Sequence, residues 1–282
     1  MSKLKKALEK AKDTRASGVV ALVDQTSETS PAANSKVKDN YFNGNVVNVT
    51  YTKTQVHKPD PKTLKEKKAF ALFSKHEMMD YSNLLRTQIL NKLEEIGGNS
   101  LLITSANPGE GKTFTSINLS ISIAQELNRT VLLVDADLRR PANSHFDFAR
   151  DHFGVNTDQG LADYLLGQAE LQDLLINPGI NKLTILPSGR VLPNSAEVLG
   201  SARMKQLITE IKNRYQDRIV IIDGPSILMC PDPVVLSRLV DGVLLVVETE
   251  RTSPKDIKRL IELIGNRPIL GIVLNKDRSK RA

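Results

Sequence analysis

The sequence predicts an α/β fold in which a doubly wound, mainly parallel sheet carries helices on both faces. From residue 101 onwards, short apolar runs alternate with segments of helical periodicity. The apolar runs are nearly continuous, which is typical of strands that are buried on both faces of a sheet. Polar residues follow several of these runs, and ligands bind open parallel sheets beyond the carboxyl ends of the strands.

The predicted elements follow one another in a regular order. Strands are expected near residues 101–105, 131–135, 183–187, 219–223, 242–248 and 269–274. Helices are expected near residues 76–95, 112–127, 159–166, 202–214, 232–239 and 254–265. Ser253 and Pro254 supply an N-cap and a first-turn proline for the last of these helices.

The N-terminal part of the chain has a different composition. The net charge of the 282 residues is +7, of which residues 1–75 contribute +8 and the remainder −1. Residues 2–12 have a helical pattern, whereas residues 13–68 are polar with little periodicity apart from a β-prone run at 46–51. The N-terminal helix could bind an anionic membrane surface or a partner, or it could be a solvated helix.

These differences predict three parts of the chain. They are a flexible basic segment with a helix and a disordered linker (1–68), a compact nucleotide-binding domain (69–278) and a short basic tail (279–282). The hydrophobic content of 40% is enough for a core, and no apolar run is long enough to predict a transmembrane helix. The single cysteine, Cys230, excludes an internal disulfide and fits a cytoplasmic protein. Because the folded part is not basic, we expect no nucleic-acid binding.

The segment between the first strand and the first helix of the alternating region has the composition of a phosphate-binding loop. Residues 106–113 read ANPGEGKT, which fits the pattern G-x-x-x-x-G-K-[ST] except at Ala106. Gly109 and Gly111 allow backbone N–H groups to point at phosphate oxygens. Lys112 can reach the β- and γ-phosphates, and Thr113 can offer its hydroxyl to Mg²⁺. The predicted nucleotide contacts are Asn107, Pro108, Gly109, Glu110, Gly111, Lys112, Thr113 and Phe114.

Aspartates lie at the carboxyl ends of two further predicted strands. Asp135 and Asp137 follow the strand near 131–135, and Asp223 ends the strand near 219–223. One such Asp could be only a helix cap, but three beside a phosphate-binding loop predict a Mg²⁺ and phosphoryl-transfer site. Asp135 or Asp137 could accept the proton of an attacking hydroxyl. Arg139 could steady a phosphate or a neighbouring protomer, or it could form a structural salt bridge.

Together these segments resemble one known family. The motifs PGEGKT, DADLRRP and IVIIDGP resemble the three Walker-type motifs of the bacterial tyrosine kinases (BY-kinases), which are relatives of the MinD/ParA P-loop ATPases. These kinases act with polysaccharide co-polymerases in capsule and exopolysaccharide export. The similarity extends over residues 74–278, with the motifs in the same order.

The resemblance implies an ATP- and Mg²⁺-dependent protein-tyrosine kinase that regulates exopolysaccharide or capsule biosynthesis. It implies Asp135 as the catalytic base, Asp137 as a second group at the metal, and Asn275 at the adenine edge. Thr113 and Asp223 would complete the metal site. It also implies a membrane co-polymerase as partner, proteins with tyrosine as substrates, self-association, and a peripheral position at the inner face of the membrane.

Three departures from the family pattern keep other functions open. Asn107 stands where MinD/ParA proteins carry a signature lysine, which argues against a positioning ATPase. The family's ring-forming helix motif, Glu-x-x-Arg-x-x-Arg, aligns with Asp80, Asn83 and Arg86, of which only Arg86 is retained and Asp80 is a conservative change, so a ring built on this contact is not expected. No tyrosine follows Tyr215, so Tyr41 and Tyr51 in the linker are the candidate autophosphorylation sites, while a structural role is expected for Tyr81, Tyr164 and Tyr215. The alternatives are a regulatory ATPase switch in the same pathway and, less strongly, a positioning ATPase.

Overall fold

The centre of the protein is a mostly parallel sheet. The structure is a computed structural model, and it describes residues 19–23, 54–57, 69, 77–139 and 148–277. Within these residues the strands are β1 (Val19–Val23), β2 (Gln55–Val56), β3 (Ser100–Ser105), β4 (Thr130–Asp135), β5 (Ile176–Asn177), β6 (Leu183–Leu186), β7 (Arg218–Asp223), β8 (Gly242–Glu248) and β9 (Ile269–Asn275).

The strand order places the site-bearing strands in the middle of the sheet. The order is β1-β9-β8-β3-β7-β4-β6-β5-β2. Neighbouring strands are parallel except for the pair β5 and β6, which is antiparallel. The carboxyl ends of β3, β7 and β4 therefore lie side by side at one edge of the sheet. The predicted doubly wound α/β fold is confirmed.

Helices cover both faces of the sheet. They are α1 (Glu77–Glu95), α2 (Lys112–Ala124), α3 (Phe148–Phe153), α4 (Leu161–Leu165), α5 (Leu171–Leu174), α6 (Ser195–Leu199), α7 (Ala202–Asn213), α8 (Asp232–Ser237) and α9 (Pro254–Ile264). The predicted cap of α9 is confirmed, since the Ser253 hydroxyl accepts from the Asp256 amide at 3.1 Å and Pro254 follows it. None of the described helices is both long enough and apolar enough to cross a membrane.

Alternate residues of each central strand point into two separate cores. On one face, Leu101 and Ile103 of β3 belong to a cluster with residues of α1, α2 and α3. On the other face, Leu102 packs in a cluster with residues of α4, α7 and α9. Because successive side chains of a strand point to opposite faces, a strand between two helical layers must be apolar throughout. This explains why β3, β4 and the rest of the central strands read as continuous apolar runs.

Several short elements lie where the sequence predicts a linker or a loop. β1 pairs with β9 and β2 pairs with β5, so both come from the segment that we predict to be a linker. The remaining additions are the short strand β5 and three short helices, α3, α5 and α6. The predicted N-terminal helix at 2–12 and the β-prone run at 46–51 lie outside the described residues.

Polar side chains of helix α1 contact α2 and the segment that follows it. Arg86 donates from Nη1 to the Ser122 carbonyl oxygen at 2.9 Å, and its Nε lies 2.8 Å from Glu126 Oε1. The Ser122 hydroxyl donates to Asn83 Oδ1 at 2.8 Å. Asn83 and Arg86, two of the three residues that align with the ring-forming motif, therefore already form hydrogen bonds within the chain.

Candidate functional site

The loop between β3 and α2 is wound as a phosphate-binding loop requires. Gly109 and Gly111 have φ angles of 80° and 98°, in the region that L-residues with side chains avoid. Ala106 is not among the described residues with positive φ, and it is fully buried at the end of β3. An alanine therefore fits at the position where the strict pattern has glycine.

A buried glutamate holds this loop from the inside. Glu110 is 0% exposed, and its Oε1 accepts a hydrogen bond from the Thr252 hydroxyl at 2.6 Å. Its Oε2 accepts from the Asn107 amide at 3.1 Å, and the Asn107 side chain donates to Oε1 at 3.3 Å. The Asn107 side chain is thus turned towards its own loop.

Residues at the ends of β8 and β9 hold the loop from outside. Asn275 Nδ2 donates to the Glu110 carbonyl oxygen at 2.8 Å, and Lys276 Nζ donates to the Gly109 carbonyl oxygen at 2.7 Å. Lys276 also forms an ion pair with Glu248 at 3.0 Å. Sequence patterns did not reveal Thr252 and Lys276, because their partners in the loop lie 142 and 167 positions earlier in the chain.

Two of the predicted carboxylates lie opposite each other on neighbouring strands. Asp135 and Asp223 are in register across β4 and β7, and both are almost completely buried. Asp135 Oδ1 accepts from the Asp137 amide at 3.2 Å, and Asp137 itself is half-buried at the start of the following loop. The structure therefore brings all three predicted carboxylates to the edge of the sheet that also carries the loop.

The first residues of α2 point their hydroxyls at Asp223. Ser116 donates to Asp223 Oδ1 at 2.9 Å, and the Thr113 side chain also forms a hydrogen bond with this carboxylate. Burial raises the pKa of Asp223 to about 7; the positive charge of Lys112 opposes this rise, and the negative charge of Asp135 adds to it. A Mg²⁺ ion would relieve the repulsion between the two carboxylates.

The residues present fit a nucleotide and a Mg²⁺ ion. Among the described residues, no group of three His, Cys, Asp or Glu could hold a metal ion alone. Mg²⁺ is commonly held by one or two carboxylates together with substrate phosphates and water, and Thr113 with Asp223 meets that requirement. Asn275 Oδ1 is buried without a hydrogen-bond partner, while its amide nitrogen is committed to the loop. The amide nitrogen of Asn275 is therefore not available to a ligand, whereas its oxygen has no partner within the described residues.

Arg139 links the loop after β4 to the first residues of helices α6 and α8. Its Nε donates to the Ser195 hydroxyl at 2.7 Å and lies 3.3 Å from Asp232 Oδ1. The Ser195 hydroxyl in turn donates to Asp232 Oδ2 at 2.5 Å. The salt bridge that sequence analysis considered for Arg139 is therefore present, and its partner Asp232 is completely buried.

The tyrosines of the described region have structural contacts. Tyr164 is 9% exposed and stacks under the Arg203 guanidinium at 4.7 Å. Tyr81 is partly buried against the core on the α1 face, and Tyr215 lies against Arg218 at 4.3 Å. Tyr41 and Tyr51 lie outside the described residues.

The raised pKa of Asp223 predicts that the stability of the nucleotide-free protein depends on pH. In the unfolded chain an Asp has a pKa of about 3.9, so the folded protein binds this proton more tightly. Stability is therefore expected to fall as the pH rises from about 4 to about 7, because the buried carboxyl must then ionise. Thermal unfolding of the wild type and of Asp223→Asn over this range measures the effect. The melting temperature of Asp223→Asn should fall less, and parallel profiles would contradict the prediction.

Known proteins are similar to this chain in both sequence and fold. Residues 99–268 match the family model described as an AAA domain. The chain is 36% identical to the tyrosine-protein kinase CpsD of Streptococcus agalactiae over 200 residues, which cover 70% of this chain and 82% of that protein.

Solved structures agree with these matches. The kinase domain of the Escherichia coli tyrosine kinase ETK has a TM-score of 0.68 at 30% identity, covering 83% of this chain and 87% of that one. The septum site-determining protein MinD of Pyrococcus horikoshii, complexed with Mg-ADP, has a TM-score of 0.52 at 27% identity, covering 64% and 72%. The chain belongs to the AAA-domain P-loop ATPases and, within them, to the bacterial tyrosine-protein kinases.

Proposed function

We propose that this protein is an ATP-dependent protein-tyrosine kinase that regulates capsule or exopolysaccharide production. The observation that carries the proposal is the pair Asp135 and Asp223, buried in register on neighbouring strands beside a phosphate-binding loop. Membership of the bacterial tyrosine-protein kinases supports the choice of tyrosine as acceptor.

The residues of the site divide into binding and proton-accepting groups. Lys112 and the backbone amides of residues 109–114 bind the β- and γ-phosphates of ATP, with Asn275 Oδ1 at the adenine. Thr113 and Asp223 hold Mg²⁺, and Asp137 serves as a further group at the metal. When bound, Mg²⁺ neutralises negative charge on the transferred phosphoryl group.

Asp135 accepts the proton of the attacking tyrosine hydroxyl. As the phenolic oxygen bonds to the γ-phosphorus, the bond to the bridging β–γ oxygen breaks and ADP leaves with the electron pair. The proton passes to the Asp135 carboxylate, which is fixed by its hydrogen bond from the Asp137 amide. Phosphoryl transfer of this kind depends on positioning and charge stabilisation, which a loop already braced by Glu110 and Asn275 provides.

The remaining parts of the proposal concern partners. The resemblance and the basic residues near the N-terminus support a membrane polysaccharide co-polymerase that brings the kinase to the inner face of the membrane. Adding the cytoplasmic segment of such a partner should increase the rate of phosphotyrosine formation. Self-association is part of the proposal, although Arg86 is engaged within its own chain.

Transfer to a peptide distinguishes a kinase from an ATPase switch. Purified protein is incubated with Mg²⁺, γ-labelled ATP and a synthetic tyrosine peptide, with the serine version of the peptide as control. Label is expected on the tyrosine peptide alone. Release of phosphate with no labelled tyrosine would instead support the second candidate, a regulatory ATPase switch, which the structural likeness to MinD favours.

A further inference from the structure

A cavity lies at the amino edge of the sheet, on the side away from the phosphate-binding loop. The residues that line it include Asn99, Arg129, Ile219 and Asp241. Three of them immediately precede β3, β4 and β8, and Ile219 is the second residue of β7. These four strands are neighbours in the order β8-β3-β7-β4. The cavity therefore lies beneath the centre of the sheet, about 20 Å from the carboxyl end of the six-residue strand β3.

The size of the cavity suits a small organic molecule. Its volume is about 630 Å³, and pockets for small ligands commonly measure about 300 to 1,000 Å³. Leu90 and Leu93 of α1 line it together with Ile219, and the last two are 1% and 2% exposed. These three side chains give the cavity an apolar floor. An inorganic ion would leave most of the volume and all of this floor uncontacted.

Two of the charged groups that line the cavity are paired with each other. Lys212 Nζ donates to Asp241 Oδ1, and Asp241 Oδ2 accepts from the Asn99 and Ser100 amides at 2.9 and 3.0 Å. Burial alone would raise the pKa of Asp241, but the hydrogen bonds from Lys212, Ser100 and Asn99 hold it below its usual value. Asp241 therefore supports the loop before β3, and its charge is balanced by Lys212.

Arg129 is the remaining cation of the described cavity lining. Its side chain is half-buried, and within the described residues it forms no hydrogen bond or ion pair. Glu94 also lines the cavity, but it is exposed to solvent, where its charge is screened. A guanidinium presents five N–H donors in a fixed planar arrangement that matches carboxylate and phosphate groups. Arg129 is therefore free to bind an anionic group inside the cavity.

We propose that this cavity is a ligand-binding site, separate from the nucleotide site, for a small organic anion with an apolar body. The Arg129 guanidinium binds the anionic group, and the apolar part of the ligand contacts Leu90, Leu93 and Ile219. The site does not rest on the proposed kinase function, because neither the phosphate-binding loop nor the pair Asp135 and Asp223 lines the cavity.

The dye 1-anilinonaphthalene-8-sulfonate tests the site, because it joins an anionic sulfonate to apolar rings. The full-length protein is titrated with the dye while saturating Mg-ADP keeps the dye out of the nucleotide site, and fluorescence gives the Kd. We expect saturable binding of one dye molecule per chain. The absence of saturable binding would overturn the proposal. Phosphate transfer is not measured, so failure of the kinase function would leave this result unaffected.

Replacing Arg129 with glutamine measures the contribution of its guanidinium. We expect Arg129→Gln to raise the Kd of the dye at least about tenfold, because hydrogen bonds between charged groups are stronger than those between neutral groups. Arg259→Gln is the matched control, since it removes the same charge from an exposed position of α9 outside the cavity lining. An unchanged Kd in Arg129→Gln, or equal losses in both variants, would contradict the site.

An uncharged dye separates the two parts of the proposed recognition. N-phenyl-1-naphthylamine has the same rings without the sulfonate, and we expect it to bind the wild type and Arg129→Gln equally. Equal binding also shows that the cavity is intact in the variant. Loss of this uncharged dye in Arg129→Gln would assign the effect to the fold of the cavity and overturn the role of the charge.

Competition with inorganic phosphate tests whether the apolar body is required. At constant ionic strength, excess phosphate is expected to leave the sulfonate dye bound, because phosphate makes no contact with the apolar floor. Leu90→Gln, which makes a half-buried part of that floor polar, should weaken both dyes. Complete displacement by phosphate would reduce the cavity to a simple anion site and contradict the proposed ligand class.

Discussion

Replacing Asp135 with asparagine is expected to reduce phosphotyrosine formation by about a hundredfold to ten-thousandfold. The amide keeps the oxygen that accepts from the Asp137 backbone at 3.2 Å, but it cannot take up the proton of the attacking hydroxyl. Initial rates with a tyrosine peptide measure the effect. Asp173→Asn, which changes an exposed carboxylate on α5, is the matched control and should retain the wild-type rate.

The same substitution should not damage the fold. The negative charge of Asp135 contributes to the raised pKa of Asp223, so its removal relieves repulsion between two buried carboxylates. Asp135→Asn is therefore expected to melt at or above the wild-type temperature in the absence of nucleotide. Loss of activity accompanied by a clear loss of stability would contradict the assignment of Asp135 as a catalytic group, because the site would then be structural.

Replacing Gly111 with alanine is expected to abolish nucleotide binding. A Cβ at this position would lie 1.8 Å from Asn275 Nδ2, and the φ angle of 98° is itself unfavourable for alanine. Either the Asn275 side chain or the loop must move, which breaks the hydrogen bond from Asn275 to the Glu110 carbonyl oxygen. Binding of a fluorescent ATP analogue with Mg²⁺ should fall by at least about a hundredfold.

Gly265 provides a control for the backbone alone. Its φ angle is 67°, but a Cβ there would meet no atom within 4 Å. Gly265→Ala should therefore lower stability by about 1 kcal/mol and leave nucleotide affinity unchanged. Equal losses of affinity in the two variants would show that the close approach of Asn275 is not what requires glycine at position 111.

The elements that sequence analysis placed correctly are those with a strong local signal. β3 and β4 are buried between two helical layers, so their residues are apolar throughout and the pattern can be read without knowledge of the partners. The cap at Ser253 and the loop at Gly109 and Gly111 depend on residues that are adjacent in sequence. Local chemistry determines each of these features, and they were predicted correctly.

The missed elements depend on contacts between distant parts of the chain. β1 is a five-residue run in a polar segment, and its assignment as a strand depends on pairing with β9 at the other end of the sequence. The bond from Thr252 to Glu110 and that from Lys276 to Gly109 join residues more than 140 positions apart. The family resemblance implies Asn275 at the adenine, but only the structure shows that its amide nitrogen supports the loop backbone.

Phosphotyrosine and free phosphate, followed in the same reaction, distinguish a tyrosine kinase from an ATPase. Wild-type protein and Lys112→Met are incubated with Mg-ATP, phosphotyrosine is located by mass spectrometry, and phosphate is assayed in parallel. We expect phosphotyrosine in the wild type, with Tyr41 and Tyr51 as the candidate positions, and none in Lys112→Met. Phosphate release that depends on Lys112, with no phosphotyrosine on the protein or on an added tyrosine peptide, would contradict the kinase assignment.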